Sequence, residues 1–337
     1  QQGEHTRAIA HLQRELALYP QHHKALGSLL QAKMKVADWD GLDALVEQAR
    51  QVMAEGHDCV APFVMTGLPF SAAEQRATAE RFARSFSAQP LPPPVPAARA
   101  DGRLRIGYLS SDFRVHPMAF AMARLYELHD RTQFEVIGLS IGADDGSAIR
   151  QRLLAAFDRF VDGSTMTDAQ LAQAVRDLQV DILVDLNGYT DLARPGVLAL
   201  RPAPLQVSYL GYPGTMGAPF IDHLVADATL ITDADRVHYS ERLILLPGTY
   251  QANDDQRWLP DDRPTRAECQ LPDDAFVFCC FNDAFKITPT MFDLWMRLLQ
   301  QVPGSVLWLL ADNDTARENM LRTADAAGVP RERLIFA

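Results

Sequence analysis

From Arg103 to Leu246, short β-rich apolar runs alternate with helical ones, and no other feature of the chain narrows its possible folds so far. Strands are expected at Leu104–Leu109, Phe134–Leu139, Arg159–Val161, Asp181–Leu186, Leu205–Leu210, His223–Ala226 and Arg242–Leu246. Helices are expected between them at Met118–His129, Ser147–Phe157, Asp168–Leu178 and Asp233–Ser240. Such alternation argues for a parallel sheet covered by helices on both faces. A second block of the same kind begins at Ala275, with strands at Phe276–Phe281 and Ser305–Leu310, helices at Pro289–Gln301 and Thr315–Ala327, and a third strand opening at Arg333–Phe336. Half of a doubly wound sheet would leave apolar strand surface bare, so the natural protein is expected to continue past Ala337.

The chain ahead of the sheet is helical and repetitive. Ala8, Leu12, Leu16 and Pro20 follow a helix-then-proline pattern, and a second helical stretch through Trp39, Leu42, Val46 and Ala49 ends at Ala54, 34 residues after Pro20. The period and the small residues resemble tetratricopeptide (TPR) repeats, whose helix pairs stack into a peptide-holding groove, although Leu42 stands where a small residue is usual. A further helical pair is expected from Pro62 to Ala88, with Ser71 as N-cap and Glu74 completing a capping box. Pro90, Pro92, Pro93, Pro94 and Pro96 then enforce extended chain, which makes this stretch a semi-rigid spacer. The expected fold class is α/β with an N-terminal all-α part. Its segments are a TPR-like helical domain over 1–89, a proline-rich linker over 90–103, a first Rossmann-like lobe over 104–246, a connection over 247–274 and the start of a second over 275–337.

The bulk numbers remove several classes of function. A net charge of −11 over 337 residues argues against a nucleic-acid polyanion as the main ligand. No apolar run approaches the ~20 residues that span a bilayer, and no signal peptide opens at Gln1, so a soluble, cytoplasmic protein without membrane partners is expected. Cys59, Cys269, Cys279 and Cys280 fit neither a metal spacing nor a disulfide framework and are expected to be buried reduced thiols. No G-x-G-x-x-G follows any strand and no P-loop is present, which argues against a nicotinamide dehydrogenase.

Three loops at strand ends carry groups suited to a ligand. Ser110 to Met118 places a titratable His116 just before Pro117, where a helix opens, and in open α/β sheets ligands sit beyond the carboxyl ends of strands. Asn187, Gly188, Tyr189 and Thr190 follow the strand that ends at Asp185 and Leu186, and Gly211 to Gly217 is a glycine-rich turn holding Pro213, Gly214 and Thr215. In the second block, Asp283 and Lys286 precede a helix with Thr288 as candidate N-cap and Pro289 at its first position. A lysine is disfavoured by the dipole at a helix start, and binding a diphosphate there is one reason for its presence. Asp312-Asn313-Asp314 has the form of a metal-holding D-x-D, but with no supporting His or third acid it reads better as a helix cap.

Five motifs in order identify a family resemblance: Ser110-Ser-Asp-Phe-x-x-His-Pro-Met, Asp181-Ile-Leu-Val-Asp-Leu-Asn-Gly-Tyr-Thr, Arg201-Pro-Ala-Pro-Leu-Gln, Leu210-Gly-Tyr-Pro-Gly-Thr and Phe281-Asn-x-x-x-Lys286-Ile. Together they resemble the protein O-GlcNAc transferase family, including its SPINDLY branch, and most of all a bacterial member with a short repeat array. The resemblance implies a metal-independent, inverting GT-B enzyme without a cofactor, moving N-acetylglucosamine from UDP-GlcNAc to Ser or Thr of protein acceptors held by the TPR-like groove. It implies that His116 is the active-site histidine, as general base or as a contact to donor and acceptor, with Pro117 beside it. It implies that Lys286 stabilises the departing diphosphate, with Asp283 where better known relatives carry Gln. Asn187, Tyr189, Thr190, Pro213, Gly214 and Thr215 would line the acceptor side, and Asp185 is a secondary candidate for proton handling. The remaining nucleotide contacts would lie beyond Ala337. GDP-fucose as donor, or a peptide-binding scaffold with inactive lobes, are the alternatives.

Overall fold

The computed structural model describes residues 4–86, 89–92, 102–257, 262–310 and 313–337. Pro93, Pro94, Pro96, Ala88 and Asp312 of the expectations above lie outside the described residues. The chain forms two compact units, Gln1–Phe70 with Pro260–Ala337, and Ser71–Leu259.

The first unit opens with four helices: α1 (Glu4–Leu18), α2 (His23–Lys35), α3 (Leu42–Ala54) and the single turn α4 (Pro62–Met65). Leu26, Leu30 and Met34 on α2 recur at helical spacing and meet Leu42, Val46, Ala49 and Met53 of α3 and Val64 and Met65 of α4 in one core. Leu42 is buried in that core, so the large residue at a usually small position is accommodated by packing. Each of the Leu, Val and Met side chains taken out of water contributes about 1.5–3 kcal/mol.

The second unit begins at α5 (Ala72–Arg84), where Ser71 and Glu74 form the expected capping box. It continues through β1 (Leu104–Ser110), α6 (Pro117–Leu128), β2 (Phe134–Ser140), α7 (Ala148–Ala156), β3 (Arg159–Asp162), α8 (Asp168–Asp177), β4 (Ile182–Asp185), α9 (Pro195–Ala199), β5 (Leu205–Tyr209), β6 (His223–Asp227) and β7 (Arg242–Leu246). The seven strands form one sheet in the order β3-β2-β1-β4-β5-β6-β7, parallel throughout. The order reverses between β1 and β4, so the loops that follow these two strands flank the switch point, where doubly wound sheets open a crevice. Strand pairing brings Leu109 beside Asp185 and leaves both loops to emerge together. Asp233–Ser240 is not a helix: only a 3-10 turn forms at Asp235–His238, and none of its residues is buried, so it lacks the apolar face that holds a helix on a sheet. The five-residue α9 is too short to show a period in sequence.

The first unit closes with β8 (Val277–Cys280), a 3-10 turn at Ala284–Lys286, α10 (Pro289–Gln301), β9 (Val306–Leu309), α11 (Asp314–Ala326) and β10 (Leu334–Phe336). Its sheet is parallel with order β10-β9-β8. The cysteines depart from the buried state expected of them. All four thiols are free, but only Cys59 is buried, and burial pushes its thiol up to about 11. Cys279 is exposed, and Cys280 and Cys269 are half-buried. Asn313 caps α11, its Oδ1 accepting from the Ala316 amide at 2.7 Å, which makes the expected cap a matter of the middle residue of the triplet.

Candidate functional site

The loops after β1 and β4 are joined by one buried side chain. Asn187, 1% exposed, accepts from the Ser111 amide through Oδ1 at 2.8 Å and donates through Nδ2 to Ser111 Oγ at 2.8 Å, Asp112 Oδ2 at 3.0 Å and Thr190 Oγ1 at 3.3 Å. Thr190 in turn donates its hydroxyl to the Asn187 carbonyl at 2.9 Å. Asp185 is buried beneath this clip, accepting from the Asn187 amide at 3.2 Å and the Gly188 amide at 2.9 Å. Burial pushes its carboxyl up to about 6 although those two amides pull the other way. That geometry shapes a turn. Gly188 makes the turn possible, because its φ is +56° and a Cβ there would overlap the Tyr212 side chain.

The glycine-rich turn after β5 divides into exposed and buried parts. Pro213 is exposed and Gly214 half-buried. Thr215 is buried, donating to Glu241 Oε2 at 2.6 Å and accepting from the Ser240 and Gly217 amides, while the Met216 amide donates to Glu241 Oε1 at 2.7 Å. Tyr189 is also buried, its hydroxyl donating to the Met216 carbonyl at 2.7 Å and its ring packed edge-on against Phe82 of α5 and Tyr212. Tyr189 and Thr215 therefore fix loops from behind, and Thr190, Pro213 and Gly214 are the members of that group with exposed surface.

His116 is the N-cap of α6. Its backbone is extended (φ −156°, ψ 147°) and its Nδ1 accepts from the Met118 amide at 3.3 Å, with Asp112 Oδ2 3.7 Å from the same nitrogen. A ring nitrogen that accepts an amide proton carries none, so the neutral ring holds its proton on Nε2. The loop bearing it is pinned from the β2–α7 side. Asp145 accepts from the Val115 amide at 2.7 Å and is held down to about 2 by that bond and by Ser147, and buried Arg150 donates to the Phe113 carbonyl at 3.0 Å. His116 and Pro117 line a cleft of about 500 Å³ with Val115, Phe120, Asn253 and Arg257. The Arg257 guanidinium lies 5.4 Å over the Phe120 ring. Asp254, also on the cleft, is taken up by Arg152 at 2.5 Å. Asp112 could have been noticed inside its motif; Asn253 and Arg257 carry no signal in a polar connection.

Lys286 lies in the other unit. It is exposed and closes the turn Ala284–Lys286, and among the described residues no carboxylate pairs with it. Asp283 caps this turn by accepting from the Phe285 amide at 2.9 Å. Two residues on, Thr288 caps α10 by accepting from the Met291 amide at 3.3 Å and Pro289 occupies its first position, so the positive end of that helix follows the lysine directly. An ammonium and the positive end of a helix each attract an anion. Among the described residues no cluster of three or more His, Cys, Asp or Glu is grouped as metal ligands would be.

The chain matches the sequence profile of glycosyl transferase family 41 over residues 83–263 and 262–337. It is 41% identical over 254 residues to a probable UDP-N-acetylglucosamine–peptide N-acetylglucosaminyltransferase, SEC, of Arabidopsis thaliana, an alignment taking in 73% of this chain and 26% of the relative. The Caenorhabditis elegans UDP-N-acetylglucosamine–peptide N-acetylglucosaminyltransferase is 28% identical over 70% of this chain and 30% of its own length. The chain thus spans between a quarter and a third of these relatives. Among solved structures, a variant of the Thermobaculum terrenum O-GlcNAc transferase superposes with a TM-score of 0.76 at 28% identity, covering 99% of this chain and 64% of that one. The expected GT-B-like α/β fold with helices ahead of it is met by that likeness.

Proposed function

The chain belongs to glycosyl transferase family 41, and from that premise we propose that it moves N-acetylglucosamine from UDP-GlcNAc to Ser or Thr hydroxyls of proteins. The choice of donor is supported by the relatives' names, since the SEC relative at 41% identity and the SPINDLY relative of the same plant at 30% are both named for UDP-N-acetylglucosamine. The observation that carries the chemistry is Lys286, exposed without a carboxylate partner among the described residues, immediately ahead of a capped helix start. An inverting displacement needs the acceptor hydroxyl in line with the anomeric carbon and relief of the charge that collects on the departing diphosphate. In this reading Lys286 and the positive end of α10 give that relief, so no metal is assigned to it. His116, with its proton on Nε2, holds an oxygen of the bound substrates as a hydrogen-bond donor. Asn187 and Asp185 keep its loop in place from behind, and the helices of residues 4–65 hold the protein acceptor. Free cysteines suit a reducing compartment, and the cytoplasm is the location we assign.

The test is sugar transfer from UDP-GlcNAc by the full-length protein and its Lys286→Ala and His116→Ala variants. Loss of Lys286 is expected to lower turnover by roughly 10²–10³-fold, as removal of one preorganised charge stabiliser does. Unchanged turnover in both variants would refute the reading.

A further inference from the structure

Two different cores hold the turn that carries Lys286. Ala284 and Ile287 are buried with Phe292, Met296, Leu307 and Leu309 of the three-stranded sheet and its helices. Phe285, between them, is buried instead in the helical core with Val64, Met65 and Leu68. Its ring stacks on Phe63 of α4 with centroids 5.8 Å apart and planes at 22°. Gly67 lies so close beneath it that an added Cβ would sit 3.1 Å from the Phe285 ring Cζ and 3.2 Å from its carbonyl oxygen. The turn itself is tight, with the Lys286 amide donating to the Asp283 carbonyl at 2.9 Å and the Ile287 amide to the Ala284 carbonyl at 3.0 Å.

A lysine side chain is a flexible stem, so what the fold can fix is the place and direction from which it starts. Here that start is set on either side by a buried neighbour, one anchored in the sheet and one in the helices. We propose that Phe285 is a positioning residue acting through Lys286, and that α4 with Gly67 is thereby part of the donor-phosphate site. The helical segment then has a second task besides holding the acceptor: a shift of α4 moves the origin of the lysine that meets the diphosphate. The inference rests on the reading of Lys286 given above.

UDP titrated calorimetrically into the intact protein tests it, with Gly67→Ala, Lys286→Ala and the double variant. Gly67→Ala presses one methyl on Phe285 and opens no cavity. Lys286→Ala is expected to weaken UDP by at least about tenfold, the scale of a charge-assisted contact. Gly67→Ala is expected to weaken it about three- to tenfold when Lys286 is present and by less than about twofold when it is absent, because the two residues act as one unit. Equal losses in both backgrounds, or no loss beside Lys286, would overturn the positioning role alone. Native-like UDP binding by Lys286→Ala would overturn the reading of Lys286 and this inference with it. Phe63→Leu, which removes the stacked ring and keeps an apolar side chain, completes the same cycle if Gly67→Ala does not fold.

Discussion

Replacing Asn187 by Ala removes a side chain that ties the β1 loop to the β4 loop. Four hydrogen bonds go with it, at 2.8, 2.8, 3.0 and 3.3 Å. The groups left behind differ in what they lose. Ser111, fully buried, keeps an amide and a hydroxyl with no replacement in sight, and the Asp112 carboxylate loses a donor. Thr190 is half-buried and turns to water. An unsatisfied buried group costs about 1–3 kcal/mol, so the Ser111 amide and hydroxyl together set a loss of about 3 kcal/mol once water enters the space left by the side-chain amide, while Asp112 keeps its contact with Arg114. For a unit of this size that corresponds to a fall in Tm of roughly 6–12 °C, read by thermal melting followed by circular dichroism. Asn187→Asp sharpens the test, because it sets a second carboxylate against Asp112: it should be less stable than Asn187→Ala at neutral pH and recover on acidification. A fall below about 2 °C for Asn187→Ala would show that the two loops are held by something else.

Three further outcomes follow from other contacts. Folded Asp185 keeps its proton up to about 6, whereas an unfolded Asp releases it near ~4, so the native state binds more protons between those values and stability falls as pH rises through that window. Urea unfolding should show a drop of up to about 3 kcal/mol from pH 4 to 6 and little change above, with that slope absent in Asp185→Asn; an unaltered slope would remove Asp185 as its source. In Gly211→Ala a Cβ would overlap the Leu186 carbonyl oxygen, which forces the β4 and β5 loops apart. A loss of about 1–3 kcal/mol in melting experiments is expected, together with reduced sugar transfer. Ser71→Ala breaks the capping box of α5 and should cost about 1 kcal/mol, measured the same way.

The sheet was legible because its signals are local and repeated: each β-rich run ends at a polar loop, and a parallel order follows from the intervening helices. Ser71 with Glu74 and Thr288 with Pro289 were legible for the same reason, since a cap is written within four residues. What sequence concealed depends on distant pairing. Asn187 and Asp112 are 75 residues apart, and only the adjacency of β1 and β4 turns an expected ligand-facing amide into a buried clip. Tyr189 and Thr215 sit in polar, glycine-bearing loops that resemble binding turns, yet α5 and Glu241 cover them. Phe285 reads as an ordinary apolar residue of its turn; that it joins the helical core is decided by chain segments more than two hundred positions away.

Incubation of the intact protein with sugar-labelled UDP-GlcNAc and a protein acceptor, followed by mass spectrometry of the acceptor, bears most directly on the central claim. N-acetylhexosamine on Ser or Thr with UDP released in equal amount is expected, with loss of both products in Lys286→Ala. An acceptor left unmodified, or transfer undiminished without Lys286, would contradict the assigned transfer.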